Sequence, residues 1–215
     1  MRWKKINKVK ENEKKFDHYT SYKPILAEEQ DNQCVYCAIP DSRLGGIAVF
    51  HVEHLRPKSV FIGLENDYYN LFYVCPICNR FKGSDWPNEP TEELDIPCYP
   101  CPASIDYNRF LFVNESFEVE SPTIAGDYII TRIYLNRPHL LRERKFFDLQ
   151  KTVKVMRTRL RHLKEKATSH DNGENPQTLH HLLDAFDVLE RISEHINWYL
   201  TKTPYDIEEV RRQKT

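Results

Sequence analysis

The chain contains no apolar run long enough to cross a bilayer, which takes about 20 residues as a helix. Its mean hydropathy is −0.66, and 29% of its residues are charged. Residues 1–5 contain no apolar segment of the kind found in a secretory signal. These absences predict a cytoplasmic protein without membrane contact. Its thiols are then expected to be reduced, so that paired cysteines bind metal rather than form disulfides.

The chain also has almost no net charge, −1, but its charges are segregated. Residues 1–24 carry 8 Lys/Arg and 3 acids, and residues 137–167 carry 11 Lys/Arg and 3 acids. The 25–136 region between them has 7 Lys/Arg and 17 acids. This distribution is typical of a protein that contacts phosphates at its periphery and metal at its centre. A solvated helix face explains the second basic segment equally well.

Two C-x-x-C pairs, separated by 37 residues, predict a structural zinc site. Four thiolates complete a tetrahedral Zn²⁺ site, and the ion would replace a core that this polar segment cannot build. The alternative is four free thiols in the core. A third pair, Cys98 and Cys101, has no further ligands near it and is predicted to be free rather than a second metal site. The predicted zinc ligands are Cys34, Cys37, Cys75 and Cys78.

Between the two pairs lies Glu53-His54, which supplies two groups that phosphodiester hydrolysis requires. Glu53 is an oxygen ligand suited to Mg²⁺ or Mn²⁺, and a neutral His54 is a general base. Neighbours on a strand point to opposite faces, so both reach one metal only where the strand ends or twists. By itself such a pair is more often accidental. His51 shares the face of Glu53, as an ordinary polar strand residue or as an extra ligand or phosphate contact.

The whole pattern resembles the HNH endonucleases of the ββα-metal class. It comprises the first cysteine pair, Glu-His-Leu-Arg-Pro-Lys at 53–58, Asn70, and Cys-Asn-Arg-Phe-Lys-Gly at 78–83. The resemblance implies that Glu53 and Asn79 bind the catalytic metal, that His54 is the general base and that Asn70 orients His54. Asn79 stands in place of the histidine that gives the family its name.

The segments at 52–59, 78–83 and 135–138 resemble one branch more closely. This branch is PtuB, the HNH component of the Septu anti-phage defence system, to which some retron-associated HNH effectors are related. The resemblance implies cleavage or nicking of DNA under the control of PtuA, an ABC-type ATPase partner. A homodimer within a larger complex is compatible with this arrangement.

Four basic residues near the predicted site are candidates for contacts with the DNA backbone. A cation within reach of the scissile bond would hold phosphate and would carry little sequence readout. Surface solvation explains each of them singly, but their clustering favours a function. They are Arg56, Lys58, Arg80 and Lys82.

The predicted fold class is α+β, a zinc-clipped ββα-metal HNH core followed by an α-helical hairpin. We divide the chain into a basic N-terminal arm (1–21), the HNH domain (22–136), the hairpin (137–200) and a polar tail (201–215). Residues 47–52 are predicted as a strand, a helix is expected to begin at the second cysteine pair and end at Gly83, and residues 109–120 are predicted as a hairpin. Residues 126–135 fit a helix or a strand.

Helices are predicted at 138–167 and 177–200. The first has an apolar seam with the spacing of a coiled coil, which serves packing within the hairpin or, alternatively, contact with a partner or DNA. The seam consists of Phe146, Leu149, Val153, Met156, Leu160 and Leu163.

Two other functions compete with a nuclease. A zinc-stabilised DNA-binding or adaptor module would keep the four cysteines but would have no use for Glu53, His54 and Asn79 together. A component that is inert without its partner is compatible with an intact catalytic site.

Overall fold

The structure of the chain is a computed structural model that describes residues 2–13, 16–169 and 176–201. It divides into two compact units, the first running to Glu143 and the second beginning at Arg144. None of the helices within the described ranges is both long and apolar enough to cross a membrane. The predicted polar tail lies, apart from its first residue, outside the described residues.

The centre of the first unit is a two-stranded antiparallel sheet followed by a helix. Strand β1 (His51–His54) pairs with strand β2 (Leu71–Val74) in the register His51 to Val74. All four residues of β2 are buried. Its alternate side chains therefore have apolar surroundings on both faces of the sheet, which explains why the segment is continuously apolar.

Helix α2 (Pro76–Lys82) begins and ends as predicted. The Cys75 sulfur accepts a hydrogen bond from the Cys78 amide at the N-cap, and Pro76 occupies the first turn. Gly83 ends the helix with φ of 55°, in the left-handed region that glycine adopts without a steric cost. This cap fixes the second cysteine pair at the junction of strand and helix.

The strand predicted at 47–52 begins later, at His51, and extends to His54. Residues 47–49 form a turn instead, closed by a 3.1 Å hydrogen bond from the Val49 amide to the Gly46 carbonyl. Pairing with β2 decides the extent of β1, because β2 has only four residues to pair with. The apolar and β-branched composition of residues 47–50 favours a strand but does not indicate where pairing begins.

Helix α1 (Lys23–Glu29) packs beside β2, and the residue after it closes the edge of the sheet. The Gln30 amide group donates to the Tyr73 carbonyl and accepts from the Tyr73 amide, both at 2.8 Å. Gln30 thus satisfies backbone groups that would otherwise be buried without partners. The Val35 amide also donates to the Tyr73 carbonyl, at 2.9 Å, and joins the first cysteine pair to the same strand.

The N-terminal segment, predicted as a loose basic arm, packs on the core. Trp3 and Ile6 are 8% and 2% exposed, and the Trp3 indole donates to the Tyr36 carbonyl at 2.7 Å. The Lys8 side chain is also buried, and its ammonium donates to the Leu71 carbonyl at 2.6 Å. A few apolar residues along a basic segment are enough for this contact. The high charge of the segment led us to predict an unpacked arm.

Because Lys8 is buried, its pKa falls from 10.5 to about 8, although Glu29 opposes the shift. Between pH 8 and pH 10 the unfolded chain then binds more protons at this residue than the folded chain, so the free energy of unfolding gains a contribution that rises with pH. We expect Lys8→Met to have a smaller slope over this range in urea unfolding. Lys4→Met, at an exposed lysine, should keep the wild-type slope, and an unchanged slope in Lys8→Met would contradict the assignment.

The predicted hairpin is present but short, with β3 (Phe112–Val113) paired to β4 (Val119–Glu120). The undecided region 126–135 is mostly helix, α3 (Ile124–Arg132), which Thr123 caps by accepting from the Gly126 amide at 3.1 Å. A Cβ at position 126 would lie 1.9 Å from the Ser121 hydroxyl, so the close approach of helix and loop requires glycine there.

The C-terminal region is helical as predicted, with α4 (Pro138–Ser169) and α5 (Pro176–Thr201). Arg157 forms an ion pair with Glu190, while Val153 shares a small cluster with Ile196. These contacts run in opposite order along the two helices, which indicates an antiparallel pair.

The predicted seam of α4 is only partly covered. Val153 is buried and Phe146 is partly buried, but Leu149 and Met156 are 49% and 47% exposed. The side chains of Leu160 and Leu163 lie outside the described residues.

Candidate functional site

The four predicted zinc ligands form one buried cluster. Their Sγ atoms all lie within 4.8 Å of one another, and those of Cys37 and Cys75 are 3.9 Å apart. A Zn–S distance of about 2.3 Å places the sulfurs of a tetrahedron roughly 3.8 Å apart. The cluster therefore fits Zn²⁺ in size and donor type. Cys98 is buried and Cys101 is partly exposed, and neither belongs to this cluster.

The buried thiols resist loss of their protons, so a bound cation is needed to keep them as thiolates. Burial raises the pKa of Cys34 and Cys78. A bound Zn²⁺ would displace these protons, so that zinc affinity falls as the pH is lowered.

Arg137 lies beside the cysteine cluster and was not predicted there. Its Nη2 donates to the Cys78 sulfur at 3.5 Å, and the thiols of Cys78 and Cys37 raise its pKa against the effect of burial. A tetrathiolate zinc site carries two negative charges, and the guanidinium offsets one of them. No local pattern in the sequence indicated this contact, because Arg137 and Cys78 are 59 residues apart.

We expect Arg137→Gln to bind zinc more weakly than the wild type, because the thiolates would lose a neighbouring positive charge. Outer contacts of this kind typically change metal affinity about 10- to 100-fold. Competition with a chromophoric chelator would measure the affinity, and Arg132→Gln, at an arginine that pairs with Asp85 instead, is the control. Equal zinc affinity in Arg137→Gln and wild type would contradict the role.

Glu53, the predicted metal ligand, is held in a buried ion pair. Its Oε1 lies 2.7 Å from Lys82 Nζ, and the two side chains are 5% and 0% exposed. Burial raises the pKa of Glu53, while Lys82 and the Tyr36 hydroxyl lower it. Lys82 also donates to the His54 carbonyl at 3.0 Å. The prediction that Lys82 contacts DNA is therefore wrong for this structure, since its ammonium is inside the protein.

His51 and Asn79 form a second pair on the same side of β1. Asn79 Nδ2 lies 2.8 Å from His51 Nδ1, and His51 is exposed. Partial desolvation of the ring and the neighbouring Lys23 lower the pKa of His51, which favours its neutral form. Asn79 and Lys82 are three residues apart on α2 and so face β1 together. The sequence favoured an ordinary polar role for His51, but the structure places it against the predicted ligand Asn79.

His54 has the tautomer that a general base needs. Its Nε2 lies 2.8 Å from the Glu65 carbonyl, so this nitrogen carries the proton and donates. Burial lowers the pKa of His54 and favours the neutral ring, which leaves Nδ1 as the basic nitrogen. The ring packs edge-on against Tyr19, with 4.8 Å between centroids. Orientation of the ring therefore comes from the Glu65 backbone and Tyr19.

Asn70 does not contact His54 in the way that was predicted. Its Oδ1 accepts from the Arg56 amide at 2.8 Å, and its Nδ2 donates to the carbonyls of Arg56 and Leu64 at 3.0 and 3.2 Å. Asn70 thus joins both ends of the loop between the strands. Because Glu65 follows Leu64, this also helps to place the carbonyl that binds His54.

The remaining predicted DNA-contacting residues are at the surface. Arg56 pairs with Glu89 at 2.6 Å, and Lys58 pairs with Glu65 at 2.7 Å, all four side chains being about half exposed. Arg80 is exposed at the end of α2. Exposed pairs of this kind are weak, so a phosphate could compete for both cations.

The structure therefore brings the predicted catalytic residues to β1 but divides them between two sets. Glu53 and His51 meet α2, whereas His54 meets the loop that follows β1. Among these hydrogen bonds of the described residues, none joins the His54 ring to Glu53 or Asn79. Apart from the four cysteines, the described part of the chain contains no group of three or more His, Cys, Asp or Glu side chains positioned to hold a metal.

Comparison with known families matches residues 34–85 to the model described as HNH endonuclease. The matched range contains the four cysteines, both strands of the sheet and α2. Searches of curated proteins and of solved structures gave no match. The chain therefore carries an HNH domain, and the predicted α+β fold class with a helical C-terminal region is confirmed. An HNH domain supports a DNA nuclease that uses metal ions.

Proposed function

From the HNH domain at residues 34–85, we propose that this protein is a metal-dependent endonuclease that hydrolyses DNA phosphodiester bonds. The observation that carries the proposal is the geometry of His54, whose Nε2 lies 2.8 Å from the Glu65 carbonyl and whose Nδ1 is left as the basic nitrogen. A structural role would not require a free basic nitrogen on a buried ring. A general base requires both features.

Each predicted catalytic residue has a distinct role in this proposal. Nδ1 of His54 takes a proton from the water that attacks phosphorus, and the Glu65 carbonyl then stabilises the imidazolium. Glu53 and Asn79 would hold a divalent cation, Mg²⁺ or Mn²⁺, with His51 as a neighbouring nitrogen donor. When bound, the cation supplies positive charge at the scissile phosphate and at the leaving 3′ oxygen. Glu53 would exchange Lys82 for it.

The four cysteines hold Zn²⁺ as a structural ion in this proposal. Their cluster is buried and closed, whereas a catalytic zinc needs an open coordination position. Zinc would keep β2 and α2 in place around the first cysteine pair. We also propose four regions along the chain. They are a basic N-terminal segment (1–21), an HNH domain (22–136), a helical hairpin (137–200) and a polar tail (201–215).

The finer assignment is an effector of anti-phage defence similar to PtuB of Septu, controlled by an ABC-type ATPase. It rests on the sequence segments at 52–59, 78–83 and 135–138. The half-exposed apolar residues of the hairpin, Leu149 and Met156, are compatible with a docking surface for the ATPase or for a second copy. The cytoplasm is the compartment that this role requires.

The test is cleavage of supercoiled plasmid with Mg²⁺ or Mn²⁺, with and without any ATPase encoded beside the gene. Loss of a general base typically lowers the rate about 10²- to 10⁴-fold. We expect such a loss in His54→Ala, with an unchanged zinc content, and a smaller loss in His51→Ala. Equal cleavage by His54→Ala and wild type would mean a wrongly placed base. The absence of cleavage even with the ATPase would favour the non-catalytic zinc module.

A further inference from the structure

A cavity of about 230 Å³ lies beside the loop that follows β1. Pockets for drug-sized ligands typically measure roughly 300–1,000 Å³, so this one suits a single planar ring system better than a whole cofactor. Its lining combines aromatic, cationic and anionic side chains. Those that matter here are Arg56, Asp67, Tyr69, Trp86 and Tyr99.

One lining ring, Trp86, is partly exposed and is held in position by a second lining ring, Tyr99, which is fully buried. The rings of Trp86 and Tyr99 are nearly parallel, at 17°, with 6.3 Å between their centroids. The Tyr99 hydroxyl donates to Asp85 at 2.7 Å, and the Trp86 indole donates to Glu89 at 3.3 Å. A planar ligand can stack on a ring held in this way with little loss of side-chain entropy on binding.

The polar residues of the cavity complement a nucleobase and its phosphate. The Arg56 guanidinium lies 5.8 Å from the Trp86 ring centroid and reaches the surface, where it can meet a phosphate. Asp67 accepts one hydrogen bond, from the Tyr69 amide at 3.0 Å, and a carboxylate has capacity for several. It can therefore also accept from N–H groups on the edge of a base.

The cavity is also close to the proposed chemistry. Arg56 is two residues after His54, and Asn70, another lining residue, holds the Arg56 backbone. A strand whose phosphate lies at His54 would bring a neighbouring base to this loop.

We propose that the cavity binds one unstacked nucleobase of the DNA next to the cut, with guanine preferred. Stacking on Trp86 supplies affinity for any base. Asp67 supplies the preference, since guanine alone among the four bases presents adjacent N1–H and N2–H donors to one carboxylate. The inference rests on the proposed nuclease function for its ligand, the DNA substrate.

The test measures binding rather than cleavage. Single-stranded oligonucleotides carrying one abasic position each are titrated, in Mg²⁺, against the full-length His54→Ala protein, and anisotropy reports the Kd. Stacking is worth about 1–3 kcal/mol per base, which corresponds to roughly 5- to 150-fold. We expect one abasic position to weaken binding about tenfold, Trp86→Ala to weaken the intact oligonucleotide equally, and the two changes together to cost no more than either alone.

Three further variants show what causes the effect. Trp86→Phe should recover most of the binding because it keeps an aromatic ring, whereas Phe112→Ala, at an exposed ring outside the cavity, should change nothing. Asp67→Asn should keep the stacking but reduce the difference in Kd between oligonucleotides with guanine and those with another base at the bound position. Zinc content and circular dichroism establish that each variant is folded.

Independent losses from Trp86→Ala and from every abasic position would overturn the proposal, and so would the absence of oligonucleotide binding. Binding of free dGMP that depends on Trp86, without coupling to any abasic position, would also overturn it, because the ligand would then be a free nucleotide. Plasmid cleavage tests the nuclease function separately. Coupled binding without cleavage would retain the base pocket and reject the catalytic assignment.

Discussion

Cys37→Ser is expected to remove zinc from the protein and to unfold the first unit. The substitution removes one of four buried Sγ atoms that lie within 4.8 Å of one another. A serine hydroxyl is a poor replacement for a thiolate as a zinc ligand. Structural zinc contributes about 10–16 kcal/mol in small zinc-binding domains, which is comparable to the roughly 5–15 kcal/mol by which whole domains are stable. Zinc per chain should fall from one to nearly zero, with loss of the cooperative unfolding transition.

A matched control for this change exists in the same unit. Cys98 is also buried but does not belong to the cluster. Cys98→Ser should keep one zinc per chain and a cooperative transition, although burial of its hydroxyl costs some stability. If Cys37→Ser kept its zinc, or if Cys98→Ser lost it, the ligand assignment would be refuted. Elemental analysis with thermal unfolding gives both measurements.

Lys82→Met is expected to destabilise the protein by about 3–5 kcal/mol, because it leaves the buried Glu53 carboxylate without its cation. The double variant Glu53→Gln/Lys82→Met should recover a large part of this loss, since an uncharged amide tolerates the site better. Lys58→Met, at a half-exposed pair with Glu65, should cost no more than about 1 kcal/mol. Urea unfolding of the four proteins measures these differences.

The same variant tests whether Glu53 can bind a divalent cation. In Lys82→Met the carboxylate has lost its ammonium partner, so Mn²⁺ should raise the unfolding midpoint more than it does in the wild type. Binding of an ion to the folded state stabilises it in proportion to affinity and concentration. Glu53→Gln/Lys82→Met should lack this response. A response to Mn²⁺ that was equal in all three proteins would place the ion elsewhere.

The sequence by itself determined the parts of this protein whose information is local. The two-residue spacing within each cysteine pair predicted metal ligands, and the second cysteine pair and Gly83 marked the limits of α2. The apolar period of the C-terminal region predicted its two helices. Each of these follows from covalent spacing or backbone restriction, which act within a few residues.

Only the tertiary structure decided which side chains meet. Lys82, basic and beside the motif, was expected at the surface, but α2 turns it towards Glu53 inside the protein. Arg137 and Trp3 carried no local signal, since their partners are separated from them by 59 and 33 residues. The sequence favoured an ordinary polar role for His51, whereas the packing of α2 against β1 places Asn79 beside it. Contacts between distant segments depend on how the elements pack, and the alternation of residues along one strand cannot specify what faces each side.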